Sequence, residues 1–364
     1  MKACLSFALV TLILVSGICA VLAYAQTQDP PDDVIRVETD LTNLFFTATN
    51  KEKIFITTLR EEDLRLTEDG RPQKIVTFQR ETDRPLSIAV LIDISASEER
   101  TLPQEKAAAR SFIEGVIHSD KDQAAIIPFT GSAFLEQGLT RDVFKIYRAL
   151  ESIEVAMPTY LGSGPPISGI ASGPGLKATP REGTTAIWDA IAVTASEVLT
   201  RNIDPPLTGN QRFGPSRREA SQSPGTNQRR RAIILLTDGQ DTTSRLTRDE
   251  AIRRSLDAET VIYAIGIGDN KYEGVDHGAV NAVANGTGGR AFFAKRETDL
   301  RAAFAEIENE LRSQYLIAYS STKKNRDGSY REMHIEITNP ALQKEQLKIR
   351  HRPGYYAKPP SAAR

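Results

Sequence analysis

Two kinds of hydrophobic pattern divide this chain, and they fall in different stretches of it. In the first, residues 88–92 (IAVLI) and 232–236 (AIILL) are unbroken apolar runs without alternation. Such runs suit strands covered on both faces in a parallel sheet. Two further strands are predicted over 123–129 (QAAIIPF) and 261–267 (VIYAIGI), with an edge strand over 290–293. Between them, apolar residues recur at helical spacing over 102–118, 141–153, 184–200, 247–258 and 300–312. Strands alternating with amphipathic helices predict an α/β domain over 85–312, with a mostly parallel central sheet and helices on both faces.

The second pattern occupies the two ends. Residues 41–49, 64–67 and 75–78 are rich in β-branched and aromatic side chains, and Asp69-Gly70 is a tight-turn signal. Near the other end, 315–319, 333–337, 347–349 and 354–356 are strand-like, and MHIEI at 333–337 alternates cleanly between apolar and polar. Neither set has enough apolar surface to close a core alone. The two are therefore expected to pack together as a small β-sandwich-like module flanking the α/β domain.

The start of the chain has a third character. Lys2, an apolar core over 5–22 and Ala23-Tyr24-Ala25 before Gln26 have the layout of a secretory signal peptide. Cleavage after Ala25 and export to the periplasm or medium are expected; an uncleaved segment would instead make a membrane anchor. Both cysteines, Cys4 and Cys19, lie in this leader, so the mature chain is expected to use no thiol chemistry. The predicted order is a leader over 1–25, a linker over 26–33 and a β segment over 34–84. The α/β domain over 85–312, a second β segment over 313–357 and a tail over 358–364 complete it.

Composition narrows the function classes. The chain has 364 residues and a formal net charge of -1, which leaves no electrostatic footprint for nucleic acid. Two Gly/Pro/Ser-rich loops, 157–182 and 203–230, fit disordered insertions better than binding loops. Arg217, Arg218, Arg229, Arg230 and Arg231 read as solvated loop charge. No histidine pair has zinc-helix spacing, and no phosphate loop, dinucleotide fingerprint or nucleophile elbow is present. Asn285-Gly286-Thr287 is formally a glycosylation sequon and reads as a turn.

What remains is a set of oxygen-bearing side chains at the ends of predicted strands. Asp93, Ser95 and Ser97 follow the first apolar run at every second position, a spacing that aims several oxygens at one hard cation. In open α/β sheets ligands bind at the carboxyl ends of strands. A plainer reading gives Ser95 or Ser97 to capping the next helix, and Asp238-Gly239 to a strand-to-helix turn.

Asp93-x-Ser95-x-Ser97 resembles the DxSxS motif of the von Willebrand factor type A (VWA) domain, whose metal-ion-dependent adhesion site (MIDAS) holds Mg²⁺. Residues 183–190 (GTTAIWDA) are similar to that family's threonine loop, with Thr185 at the ligand position, and Thr237-Asp238-Gly239 is similar to its second aspartate. Residues 64–78 and 352–356 look like the flanks of bacterial VWFA-related proteins of acidobacterial type. The resemblance implies a Rossmann-like fold and a metal site of Asp93, Ser95, Ser97, Thr185 and Asp238. Mg²⁺ is the expected ion, with Mn²⁺ or Ca²⁺ as alternatives; the lack of soft ligands disfavours zinc and copper. Neutral hydroxyls leave the ion electrophilic, so a carboxylate from a protein partner can complete its shell. The expectation is an exported, non-enzymatic protein-binding module with no small-molecule substrate and no cofactor besides the metal. The alternatives are an envelope structural or assembly protein in which the metal only stabilises the fold, and a hydrolase using the ion to activate water. Glu98 and Glu99 depart from the family pattern: added negative charge there would tighten the cation or block an acidic partner.

Overall fold

The computed structural model describes residues 41–80, 84–155, 184–200, 229–238, 240–268 and 275–358. The leader, the linker and most of the two long loops lie outside the described residues, as do Gly183 and Gly239. No helix among the described residues is long and apolar enough to cross a membrane.

In chain order the strands are β1 (Thr42–Thr49), β2 (Leu64–Glu68), β3 (Arg71–Gln73), β4 (Ile75–Arg80), β5 (Leu86–Asp93), β6 (Gln123–Phe129) and β7 (Gln137–Thr140). They continue as β8 (Arg230–Thr237), β9 (Thr260–Ile267), β10 (Ala291–Ala294), β11 (Tyr315–Tyr319), β12 (Tyr330–Ile337), β13 (Lys348–His351) and β14 (Gly354–Tyr356). The central sheet has the order β10-β9-β8-β5-β6-β7. All its pairings are parallel except β6 with β7. Counted along the chain this is 3-2-1-4-5-6, the doubly wound order, with its switch point between β5 and β8.

β5 explains why helices cover both faces. Its alternation sends Ile88, Val90 and Ile92 into one core and Ala89 and Leu91 into the other. On the first face lie α1 (Leu102–Val116), α2 (Val143–Ser152) and α6 (Glu297–Arg312). On the second lie α3 (Ile187–Val193), α4 (Arg248–Asp257) and α5 (His277–Thr287). The expected mostly parallel sheet with helices on both faces is thus present.

Some local readings change. The helix expected over 184–200 is α3 followed by a π turn, Thr194–Val198. Asn285-Gly286-Thr287 is the end of α5 rather than a turn; the chain turns at Gly288, whose φ of 88° is the left-handed conformation glycine favours. A Cβ there would also collide with the backbone of Arg352. Arg229, Arg230 and Arg231 are not solvated loop charge. Arg229 donates to Leu86 O at 2.7 Å and Lys121 O at 2.6 Å, and Arg230 to Leu311 O at 2.6 Å. Arg231 donates to Ala258 O at 2.9 Å. These guanidiniums bind carbonyls at the start of β8, at the opposite end of the strand from Thr237.

The chain ends form two antiparallel sheets, β13-β1-β11-β4 and β14-β12-β2-β3. β1 pairs with β11 and β13, and β12 pairs with β2, so each sheet mixes strands from both ends of the sequence. Leu44, Phe46, Tyr315 and Ile317 from one sheet share a core with Leu66, Met333 and Ile335 from the other. This is the β-sandwich-like module, closed only because neither end works alone.

Candidate metal centre

β5 and β8 end side by side at the switch point, and their last residues are tied together. Thr237 Oγ1 donates to Asp93 Oδ2 at 2.9 Å. The backbone N–H of Ser95 donates to Asp93 Oδ1 at 3.0 Å, so the carboxylate is held by both strands' tips. Beyond Asp93 the chain enters a 3₁₀ turn, Ala96–Arg100, and the Ser95 side chain caps nothing. Ser95 Oγ instead lies 3.0 Å from Ser97 Oγ. The helix-capping reading of these serines is therefore not realised.

The threonine loop reaches the same edge through β6. Ile94 N donates to Phe129 O at 2.9 Å, placing the residue after β5 against the end of β6. Thr130, which follows β6, accepts Ala186 N–H on its carbonyl at 2.8 Å and donates its hydroxyl to Thr184 O at 2.7 Å. Gly131 permits this approach, because a Cβ there would lie 2.6 Å from Thr184 Oγ1. On its other side Thr185 N–H donates to Thr242 Oγ1 at 2.8 Å, and Thr185 O accepts Thr242 N–H at 2.8 Å. Asp241 Oδ1 accepts the N–H of Ile187 at 2.8 Å at the start of α3, and Asp189 Oδ1 accepts Leu246 N–H at 2.9 Å. The segment after Asp238 thus locks the threonine loop, with Thr185 itself buried.

The acidic groups converge. Carboxylate oxygens of Asp93, Glu98 and Asp238 all lie within 4.8 Å of one another. Asp93, Ser95 and Glu98 are buried, Asp238 is half-buried and Ser97 is exposed, so the cluster opens to solvent on the Ser97–Asp238 side. Behind it stands Glu105, on the buried face of α1 among Leu102, Ala108 and Ala109. Glu98 Oε2 accepts a short hydrogen bond from Thr101 Oγ1, while Glu98 Oε1 and both oxygens of Glu105 meet no donor in ordinary geometry and the two carboxyls lie against each other.

Electrostatics follow from this crowding. Burial, then the charges of Glu98 and Asp238, push Asp93 up to about 7 against the lowering effect of its Ser95 hydrogen bonds. Burial also raises Glu98, with the Glu105 charge as the next cause, and burial raises Glu105. A cluster of carboxylates that burial and mutual repulsion disfavour is one that a divalent cation relieves. The donor set, all oxygen with three carboxylates and hydroxyls beside them, is that of a hard ion such as Mg²⁺, Mn²⁺ or Ca²⁺. The unpartnered oxygens show that the residues fit such an ion.

Of the five sequence-assigned positions, the structure brings Asp93 and Asp238 together, pairs Ser95 with Ser97 beside them, and anchors the Thr185 loop to the neighbouring strand end. Glu98 was visible in the sequence only as a departure. Glu105 was missed, though it carried a signal: it is an acid at i+3 from Leu102 on an otherwise apolar helix face.

No protein-family model matches the chain, and no curated protein does. Among solved structures it is similar to proximal thread matrix protein 1 of the mussel byssus with a zinc-occupied MIDAS motif, at 16% identity and TM-score 0.46. That match covers 68% of this chain and 50% of the mussel chain, so the likeness spans about half the mussel protein. A von Willebrand factor type A structure from Catenulispora acidiphila matches at 12% identity and TM-score 0.42, over 88% of this chain and 73% of that one. The conserved hypothetical protein BatB from Bacteroides thetaiotaomicron matches at 19% identity and TM-score 0.40, over 63% and 100% respectively. At these identities, and with every TM-score below 0.5, the likeness carries no conclusion about this chain's family or role.

Proposed function

We propose that this chain is an exported, non-enzymatic protein-interaction module that works through a divalent cation held by Asp93, Ser95, Ser97, Thr185 and Asp238. The observation that carries this reading is the convergence of carboxylates within 4.8 Å at the switch point of the sheet, open on the Ser97 side. Mg²⁺ is the ion assigned, with Mn²⁺ or Ca²⁺ as alternatives. When bound, the ion supplies an electrophilic centre to which an Asp or Glu carboxylate of a protein partner can add. The chain's own residues orient that contact: Thr237 and the Ser95 amide fix Asp93, and the Thr242 bonds fix the Thr185 loop. Export rests on the leader-like first 25 residues.

The test is a pull-down from the envelope fraction with the full chain, with and without Mg²⁺, comparing wild type and Asp93→Ala. The reading expects a partner captured only by wild type with Mg²⁺; capture that survives both EDTA and the substitution contradicts it.

One observation favours a second reading. Asp93 is fully buried, which suits an ion that only stabilises the fold of an envelope structural or assembly protein. That reading expects metal removal to lower the melting temperature while no carboxylate ligand competes for the surface.

A further inference from the structure

Glu98 and Glu99 are adjacent acids with opposite environments. Glu99 is exposed to solvent, whereas Glu98 is 1% exposed and turned into the cluster. We propose that Glu98 is itself a ligand of the cation, a third carboxylate supplied from within the chain. The proposal rests on reading Asp93, Ser95, Ser97, Thr185 and Asp238 as the cation site.

Three observations carry it. Two oxygens bound to one hard cation at about 2.0–2.6 Å lie no more than about 4.0–5.2 Å apart. The Glu98 oxygen lies within 4.8 Å of both Asp93 and Asp238, inside the limit for Ca²⁺ at about 2.4–2.6 Å, while Mg²⁺ at about 2.0–2.1 Å draws the three to within about 4.2 Å. Next, Glu98 Oε2 is held by Thr101 Oγ1 while Oε1 is buried with no N–H or hydroxyl donor, the Glu105 carboxyl being the group against Glu98. An oxygen in that state costs desolvation that an ion would recover. Finally, the groups acting most strongly on Glu98 are the acids Glu105 and Asp238 and the Thr101 hydroxyl, with no basic side chain among them. Glu105 is fully buried and lies in hydrogen-bonding contact with Glu98, adding a second carboxyl and no positive charge.

The chemistry differs from a site with two carboxylates. Three carboxylates over-neutralise a divalent ion, which holds it more tightly and lowers its electrophilicity. A partner's carboxylate then has to compete with Glu98 for the ion, so Glu98 closes the site from within.

The experiment is calorimetric titration of MgCl₂, MnCl₂ and CaCl₂ into the metal-free full chain as wild type, Glu98→Gln, Glu99→Gln and Asp93→Ala. Removal of even an outer-shell partner of a metal ligand costs about 10- to 100-fold in affinity. Glu98→Gln is therefore expected to weaken binding by at least about tenfold, with Glu99→Gln unchanged and Asp93→Ala abolishing it. Binding by Glu98→Gln equal to wild type, with Asp93→Ala inactive, overturns the role of Glu98 and leaves the site standing. Wild-type binding by both Glu98→Gln and Asp93→Ala removes the site, and the proposal with it. Circular dichroism of each metal-free variant checks folding. Should Glu98→Gln not fold, Glu98→Asp keeps the charge but shortens the reach: weakened binding supports the proposal and unchanged binding overturns it.

Discussion

The chain buries acids in two places and treats them oppositely. In the sandwich module Glu68 is 2% exposed and surrounded by donors. Tyr319 Oη donates to it at 2.7 Å, Ser321 Oγ at 2.5 Å and Tyr355 Oη at 3.0 Å, with Arg331 Nη1 at 3.5 Å. At the tips of β5 and β8, Asp93, Glu98 and Glu105 are equally buried, yet they crowd one another. Asp93 takes bonds from Thr237 and the Ser95 amide and Glu98 from Thr101, while Glu98 Oε1 and both Glu105 oxygens face no ordinary donor. The first arrangement is complete as protein. The second avoids buried charge without a cation only by holding protons, since an unpaired buried charge is among the costliest features a fold can carry. The difference separates an acid that holds the sandwich together from acids arranged for a ligand.

Breaking the complete site should have the largest effect. Arg331→Ala leaves Glu68 without its cation and is expected to cost about 3–5 kcal/mol, as for other buried pairs losing one partner. Denaturant unfolding at fixed pH measures it, and added Mg²⁺ should not restore the loss.

The cation-dependent site is probed by metal and pH together. A ligand that binds only the folded state at about 100 times its Kd stabilises by about 2.7 kcal/mol, and this gain should vanish in Asp93→Ala. The pH dependence has a definite sign. Asp93 sits at about 7 in the folded metal-free protein against an ordinary 3.8. Between about pH 4 and pH 7 the folded state therefore holds a proton that the unfolded chain has released. Metal-free stability should fall as pH rises through that window, while saturating Mg²⁺ flattens the fall by displacing the proton. Melting curves at pH 4.5, 6 and 7.5 with EDTA or Mg²⁺ check this.

Paired amide substitutions give the smallest and sharpest contrast. Glu68→Gln weakens charge-assisted hydrogen bonds and should destabilise by about 1.5–3 kcal/mol. Glu105→Gln removes a repelling charge and offers an N–H to the unpartnered oxygen of Glu98, so it should stabilise the metal-free form by about 0.5–1.5 kcal/mol. Opposite signs in one unfolding series sharpen the contrast; equal signs break it.

The legible parts of this molecule were those with a single dominant signal. β5 and β8 were readable because strands buried on both faces need continuous apolar runs. The joining of the chain ends was readable because neither end could close a core. α5 was missed because Gly278, Asn281, Asn285 and Gly286 are poor helix formers, although Val280, Val283, Ala284 and Thr287 face the core at helical spacing. β7 was missed because it is four residues long and half-buried throughout, with no alternation. Arg230 read as loop charge because the sequence does not show which carbonyls wait at the strand's end. At the candidate site, Asp93, Ser95, Ser97, Thr185 and Asp238 were found through a motif. Which of Glu98 and Glu99 turns inward depends on the 3₁₀ turn that follows Ser95, and adjacent identical residues carry no pattern to reveal it.

The most direct test of a cation caged at the β5 and β8 tips is anomalous diffraction from crystals of this protein grown with Mn²⁺. The account predicts one peak within ligand distance of Asp93, Ser95, Ser97, Thr185 and Asp238, with a Glu98 oxygen in the same shell. No peak at that edge, or a peak elsewhere with Asp93 and Asp238 turned apart, would contradict it.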